Sequence, residues 1–254
     1  MMPTAQLIVL TFGLFALALA ASIIFDGFKD RTLARSSMIG VFQLIAITLV
    51  SPTASILSAS VLSRFNLGLF RLPTNWLWLI PGFLLYRLAS DLLVYAMHRA
   101  QHKIPALWAM HSLHHAETRV TIMTAYVNFW GEIVMESAFV YPLVFLIFKV
   151  PAIYLFIGFW VSAFHPLFVH AATNMRFNGP LGYLLVSPDF HRIHHSSDPA
   201  HFNSNFAGTF SFWDWAFGTL VMPPQGGRIA TGLSPEETPK AAISTLWWPL
   251  RKWL

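Results

Sequence analysis

Eight of the eleven histidines in this 254-residue chain fall into three short groups. His98 and His102 are spaced H-x-x-x-H in "HRAQH". His111, His114 and His115 are spaced H-x-x-H-H in "HSLHH", and His191, His194 and His195 repeat that spacing in "FHRIHH". On a helix, positions i, i+3 and i+4 share one face, so each group aims its imidazoles into one region. The adjacent rings, His114 with His115 and His194 with His195, diverge by about 100°, which lets the two members of a pair reach different ions. Imidazole suits zinc, copper, iron and nickel. The chain has no cysteine, which removes thiolate ligands, iron–sulfur clusters and thiol nucleophiles. Clusters this rich exceed the ligand set of one zinc and suit two metals of four or more ligands each. That pairing favours a redox metal, iron first, while the spacings leave manganese and two zincs open. A lone histidine is more often a satisfied core or surface residue than a ligand. His165, before Pro166, therefore reads as a helix-end residue and His201 as part of the loop "DPAHFNSN"; His170 fits either role on spacing alone.

The elements that position these groups belong to a membrane protein. Residues are 56% hydrophobic, 15% aromatic and only 11% charged, against about a quarter charged in average globular chains, and the mean hydropathy is +0.57. The net charge of +5 suits basic flanks at a lipid interface better than a nucleic-acid footprint, so no nucleic-acid partner is expected. Thr4 to Phe25 is uncharged and long enough to cross a bilayer. With no basic residue before it, it reads as a retained span rather than a cleaved signal peptide. Asp26 to Arg35 reads as a polar loop, and Met38 to Leu62 as a second apolar run in which Pro52 predicts a kink or break. Arg64 and Arg71 mark a connector, and Trp76 and Trp78 an interfacial belt. A third span runs towards Met97 with Asp91 deep inside it, a functional candidate for that reason. On that helix Asp91 and Tyr95 fall near the stripe of His98 and His102, placed to hold a ligand's second nitrogen directly or through the tyrosine. Ile133 to Val169, interrupted at Lys149 to Pro151, reads as a helical hairpin that enters the membrane and returns. Its aromatic wealth from 139 to 169 fits an apolar tunnel or ordinary lipid-facing packing. Ser187 and Pro188 supply an N-cap and first turn for the last histidine group.

Three spans and a returning hairpin place every histidine group on one face. Lys29, Arg31, Arg35, Arg99, Lys103, Arg119 and Arg192 lie on that face too, and Arg64 and Arg71 on the other, so the histidine face is expected to be cytoplasmic. The expected fold class is an all-α polytopic membrane helical bundle with a cytosolic, histidine-rich di-metal cap. It divides into N-terminal spans and connector (1–75), a catalytic region (76–222) and a C-terminal tail (223–254).

The motifs between Ser90 and Thr219 resemble those of the fatty acid hydroxylase superfamily, which includes sterol desaturases and C4-methyl sterol oxidases. "DLLVYAMHRAQHKIPALWAMHSLHH" is similar to the family's first two boxes, with Asp91 and Tyr95 ahead of His98 and Pro105 and Trp108 between the boxes. "FVHAATN" resembles its H-x-x-x-H/N element, which implies His170 as a ligand and Asn174 as a partner through water. "PLGYLLVSPDFHRIHHSSDP" and "NSNFAGTFSFWDWAFGTL" resemble the final box and the ending that follows it. The resemblance implies a membrane di-metal oxygenase in which two iron ions activate O2 and attack an unactivated C–H bond of a lipid, giving hydroxylation or desaturation. It implies as ligands His98, His102, His111, His114, His115, His170, His191, His194 and His195. Asp214 is implied as a hydrogen-bond partner of a ligand histidine, the alternative being a turn anchored by aromatics. No catalytic side chain beyond the ligands is implied. Many members carry Arg-x-His-Pro after the second box; here "TAYVNFWGE" puts Asn128 about where that histidine stands, leaving nine histidine ligands. Glu132, the nearest carboxylate, fits equally a partner of the site or a helix-start charge.

Oxygen reduction needs electrons, and the chain has no flavin, haem or iron–sulfur motif, so a separate ferredoxin- or cytochrome b5-like donor is expected. The basic face at Arg99, Lys103 and Arg192 suits such a partner, or lipid headgroups. A metal transporter or sensor is the competing reading, and it requires ionisable residues distributed through several spans near the midplane. A zinc hydrolase is disfavoured by the lack of H-E-x-x-H.

Overall fold

Within lipid, a backbone has no water to satisfy its N–H and C=O groups, so the long apolar runs of this chain become helices. The computed structural model describes residues 4–27, 31–62, 64, 68–224, 226 and 229–253, with the side chains of 4–8, 27, 31–32, 47–48, 51–62 and 235 left aside. Helix α1 (Thr4–Ser22) ends in a π turn, Ile23–Gly27. It is followed by α2 (Arg31–Leu62), a short strand β1 (Phe70–Arg71), α3 (Leu79–Lys103) and α4 (Pro105–His115). The hairpin consists of α5 (Trp130–Met135), a π turn at Glu136–Val140 and α6 (Tyr141–Ile147), then β2 (Phe148–Lys149) and α7 (Ala152–Val169). Short helices α8 (Pro180–Leu184), α9 (Pro188–His194), α10 (Phe212–Ala216) and α11 (Leu250–Trp253) complete the chain. Four stretches are long and apolar enough to cross a membrane among the described residues: Val9–Asp26, Leu79–Lys103, Trp130–Ile147 and Ala152–Val169.

The all-helical bundle and the returning hairpin agree with the sequence expectation, and two details differ. The loop expected from Asp26 to Arg35 is shorter: Asp26 belongs to the π turn and α2 is already helical at Arg31. α2 also runs unbroken through Pro52, as helices in apolar surroundings tolerate. Of the expected second span, Met38 to Leu62, the side chains of 47–48 and 51–62 are not described, and Lys29 and the side chain of Arg31 lie outside the described residues as well.

β1 and β2 pair in parallel, Phe70 with Phe148 and Arg71 with Lys149, so the connector before α3 and the hairpin tip share one end of the bundle. Tyr154 on α7 donates its hydroxyl to Pro73 O and stacks on Tyr86 of α3 within a core that includes Leu72, Val144 and Phe148. The aromatic residues of the hairpin mostly face outward. Phe156 meets Trp160 edge-on and Trp160 stacks on Phe164 along α7, with Phe156 and Phe164 exposed.

At the other end the chain folds back on itself. Ile104 is extended because a residue before proline avoids the helical region, and Pro105 restarts the helix at its first position. This corner turns α4 back against α3 and brings "HSLHH" over "HRAQH". The first helix is tied into the same end. The buried Asp26 carboxylate accepts from Ser22 Oγ (2.6 Å), Ile122 N (3.1 Å) and Ala172 N (3.1 Å), while Arg119 donates to the Asp26 carbonyl. The C-terminal segment also packs inward: Trp248 is buried with Ile39, Met110, Leu113, Val127 and Phe129, and its Nε1 donates to Ser112 Oγ of α4 (3.0 Å).

Asp26→Ala removes the acceptor of two buried backbone N–H groups, at about 1–3 kcal/mol for each group left unsatisfied. Thermal unfolding in mild detergent should show a clear fall in midpoint, and a smaller one for Asp26→Asn, which keeps one acceptor oxygen. An unchanged midpoint in Asp26→Ala would mean that the first helix does not fold cooperatively with the histidine-bearing end.

Candidate metal centre

Nine histidines converge at the end of the bundle where α3, α4, α7 and α9 meet. They form two groups, and within each group the ligand atoms lie within 4.8 Å of one another. The first holds His98 and His102 from α3, His111 and His115 from α4, and His194 from α9. The second holds His114 from α4, His170 at the end of α7, and His191 and His195 from α9. The adjacent pairs split between the groups, as the divergence on a helix requires. The two H-x-x-H-H motifs divide in opposite senses: α4 gives its i, i+4 pair to the first group and its middle histidine to the second, and α9 does the reverse. The groups touch where His115 stacks on His195, centroids 4.6 Å apart.

Most of these rings are oriented through Nδ1. His98 donates to Phe206 O (2.7 Å), His114 to Val127 O (3.0 Å), His170 to Pro166 O (2.7 Å) and His194 to Ser204 O (2.9 Å). A carbonyl only accepts, so Nδ1 carries the proton and Nε2 presents a lone pair. His111 is held by Glu132 Oε2 at 2.7 Å, a carboxylate that also takes Gln101 Nε2 and Phe129 N and so acts as an acceptor. Burial pushes His111, His114, His115, His191, His194 and His195 well below the ordinary histidine range. Burial likewise lowers His170, to about 4.

The Nε2 atoms then face one another across each group. His98 faces His111 at 3.0 Å and His115 faces His194 at 2.9 Å in the first group. In the second, His114 faces His170 at 3.1 Å, His170 faces His191 at 2.9 Å and His191 faces His195 at 3.1 Å. For His98–His111 and His114–His170 both Nδ1 protons are already committed, so two lone pairs oppose each other without a proton between them. Only a cation makes such contacts favourable, so the donor set fits two metal ions. Two nitrogens at the usual ~2.1 Å from one metal lie about 3.0 Å apart at a right angle and about 3.4 Å apart at the tetrahedral angle. The observed contacts of 2.9–3.1 Å are as short as two ligands of one ion would be. Three buried ring nitrogens, His102 Nε2, His191 Nδ1 and His195 Nδ1, have no hydrogen-bond partner among the described residues.

No described hydrogen bond joins a ligand ring directly to the five residues expected to support the ligands. Asp91 accepts from Thr209 N and Phe210 N (both 2.9 Å) and reaches no histidine. Tyr95 bonds Thr219 Oγ1 and accepts from Arg99. Asp214 holds Phe206 N, Ala207 N and Thr219 Oγ1. It acts on His98 only through the Phe206 peptide, because carboxylates placed among backbone N–H groups satisfy those first. Asn128 donates to Ala125 O, while its neighbour Val127 supplies the carbonyl that holds His114. Asn174 is exposed and lines a 630 Å³ cleft with Arg119, Asp189 and Arg192. Glu132, left open by sequence, plays both parts: Oε1 caps α5 and Oε2 holds His111. His165 and His201 stay outside both groups. The orienting carbonyls of Phe206, Val127, Pro166 and Ser204 escaped sequence reasoning, because a backbone acceptor has no side-chain signature.

A fatty acid hydroxylase family profile matches residues 83–219. Among curated proteins the chain is 30% identical to an alkylglycerol monooxygenase of Xenopus tropicalis over 66% of its own length and 36% of the relative's. It is 32% identical to an ornithine lipid hydroxylase of Rhizobium tropici, over 56% of this chain and 42% of that one. It is 28% identical to a cholesterol 25-hydroxylase of Rattus norvegicus, over 61% and 51% respectively. The chain thus spans between a third and about half of the length of these relatives. No solved structure matches it. The matched segment carries all nine converging histidines and more than half of the sequence, and the chain belongs to the fatty acid hydroxylase family.

Proposed function

We propose that this chain is an integral membrane di-iron oxygenase that hydroxylates an unactivated C–H bond of a lipid, using O2 and electrons from a separate donor. The observation that carries the reading is the pair of histidine groups, in each of which two Nε2 lone pairs face each other, His98 with His111 at 3.0 Å and His114 with His170 at 3.1 Å. In this reading His98, His102, His111, His115 and His194 hold one iron and His114, His170, His191 and His195 the other. The named relatives are a monooxygenase and hydroxylases of an alkylglycerol, an ornithine lipid and cholesterol, which supports a lipid substrate and hydroxylation over desaturation. The transporter reading has no comparable support, since the histidines gather at one end of the bundle instead of along a path through it.

When bound, the irons supply the activation of O2 and the oxidising power for the C–H bond. The chain's own part is to keep the imidazoles neutral by burial, to fix their tautomers through backbone carbonyls and Glu132, and to exclude bulk water. The exposed apolar flanks of α5 to α7 suit the acyl or alkyl part of the substrate. We place the histidine end in the cytoplasm, because Arg35, Arg99, Lys103 and Arg119 lie near it. Arg99 and Lys103 are candidate contacts for a ferredoxin- or cytochrome b5-like donor. Arg192 is engaged instead with Asp189 (2.5 Å) and with the carbonyls of Ala171 and Thr173.

Metal analysis of protein purified in mild detergent from iron-supplemented cells should give two irons per chain. His111→Ala with His194→Ala removes two donors of one group and should leave one iron. His114→Ala with His191→Ala should leave the other. Extracted lipids from cells expressing the wild type should contain a product one oxygen atom heavier, absent with either double variant. One zinc, or no metal, in the wild type would overturn the oxygenase reading. Glu132→Ala should lower iron retention against a chelator, and product formation with it, by about 10–100-fold. Glu132→Gln, which keeps an acceptor for His111, should recover part of both. Equal losses in the two variants would show that Glu132 serves only to cap α5.

A further inference from the structure

The C-terminal segment beyond the family match has two apolar faces. Its inner face, Ala242, Thr245 and Trp248, is buried against α2 and α4. Its outer face presents Ile243, Trp247, Leu250 and Trp253, 46%, 49%, 44% and 50% exposed. The segment is a 3₁₀ turn, Ala242–Trp247, followed by α11, and the four exposed side chains succeed one another along it. A cap surrounded only by water has no use for four large apolar side chains in a row.

The height of the segment says what covers it. Trp130, the first residue of the candidate span Trp130–Ile147, donates its Nε1 to Leu246 O (2.8 Å). At the other end Trp253 donates its Nε1 to Ala106 O (3.2 Å), three residues past the candidate span Leu79–Lys103. Gln101 and Glu132 hydrogen-bond across these two helices (2.9 Å), so both span ends stand at one level. The segment is therefore fastened on both sides at the depth where spans leave the bilayer. Its composition suits that depth: tryptophans with amphipathic rings, and basic residues beside them. Arg251 lies over the Trp248 ring at 4.6 Å, and Lys252 pairs with Glu237 at 2.6 Å.

We infer that residues 242–253 form an interfacial strap whose outer stripe, Ile243, Trp247, Leu250 and Trp253, is seated in the lipid leaflet. The strap's inner contacts to Ser112 and Ala106 make it a brace between that leaflet and α4, the helix that carries His111, His114 and His115. The inference rests on the membrane-spanning reading of α3 and α5 to α7.

The absence of cysteine allows single labels. Full-length chains carrying Ile243→Cys, Trp247→Cys or Leu250→Cys are labelled with an environment-sensitive nitrobenzoxadiazole dye. They are reconstituted in phosphatidylcholine–phosphatidylglycerol vesicles, with Lys240→Cys as an aqueous reference and Phe156→Cys, on the exposed face of α7, as a lipid reference. Lipids spin-labelled near the headgroup should quench the three strap sites several-fold more than position 240, and aqueous iodide several-fold less. Strap sites that follow position 240 with both quenchers would overturn the inference, leaving the strap in water. Sites shielded from both quenchers would overturn it too, because a protein surface such as a second copy of the chain would then cover the stripe. If position 156 also escapes the lipid quencher, the failure lies in the spanning reading itself.

Discussion

The structure is organised around one electrostatic constraint: nine imidazoles must be buried, neutral and aimed, with their lone pairs brought close together. Neutrality comes from burial, which pushes the six buried rings of α4 and α9 well below their ordinary range. For five of the nine rings aim comes from Nδ1, which donates to an acceptor of its own. Inside a helix every carbonyl is already used. Free carbonyls exist only at helix ends and in irregular chain, and those are the acceptors used here. Val127 follows a short 3₁₀ turn, while Ser204 and Phe206 lie in a loop. Asn203 and Asn205 take left-handed φ values of 58° and 57° in that loop, a conformation asparagine tolerates.

That dependence on irregular backbone explains the aspartates. Asp91 grips the N–H groups of Thr209 and Phe210, and Asp214 those of Phe206 and Ala207. Between them they hold the loop whose carbonyls orient His98 and His194. Asn205 adds bonds to Phe190 O and to both peptide groups of Val221. The buried carboxylates thus support the histidines at one remove, through peptide groups. Parts of the chain outside the matched family region act in the same way. Asp26 fixes the peptides of Ile122 and Ala172. Arg35 and Ser36 hold Glu117, two residues past His115, at 3.2 and 2.5 Å.

The histidine spacing made the ligands legible in the sequence, because i, i+3 and i+4 have one geometric meaning on a helix. The split of His114 from His115, and of His194 from His195, followed from the same angle. The hairpin between Ile133 and Val169 was legible from length and hydropathy. Less legible was anything carried by the backbone. Asp91, Tyr95 and Asp214 stand in suggestive places, yet no side-chain pattern tells a carboxylate that holds a ring from one that holds a peptide. Of the kink or break that Pro52 predicts, no break occurs, because the surroundings of α2 let the helix continue past the missing N–H. The tail from 223 onwards has no span-length apolar run, and its buried face at Ala242, Thr245 and Trp248 only becomes visible once α2 and α4 are placed beside it.

The opposite division of the two H-x-x-H-H motifs has a physical consequence. A helix offers two donors to one ion most easily at i and i+4, where the rings lie one turn apart on one side. α4 spends that pair on the first group and α9 spends it on the second, and each helix sends its remaining histidine across. Every group therefore draws on both helices, and neither helix can shift without disturbing both. α3 then adds two histidines to the first group, and α7 adds one to the second. The resulting sets of five and four are unequal, and Asn128, turned to Ala125 O, does not even them. A site built this way keeps its two groups of donors in fixed relation while leaving the four-histidine group with fewer protein donors. Under the proposed function, that asymmetry suits a centre at which O2 and a lipid approach from the less crowded side.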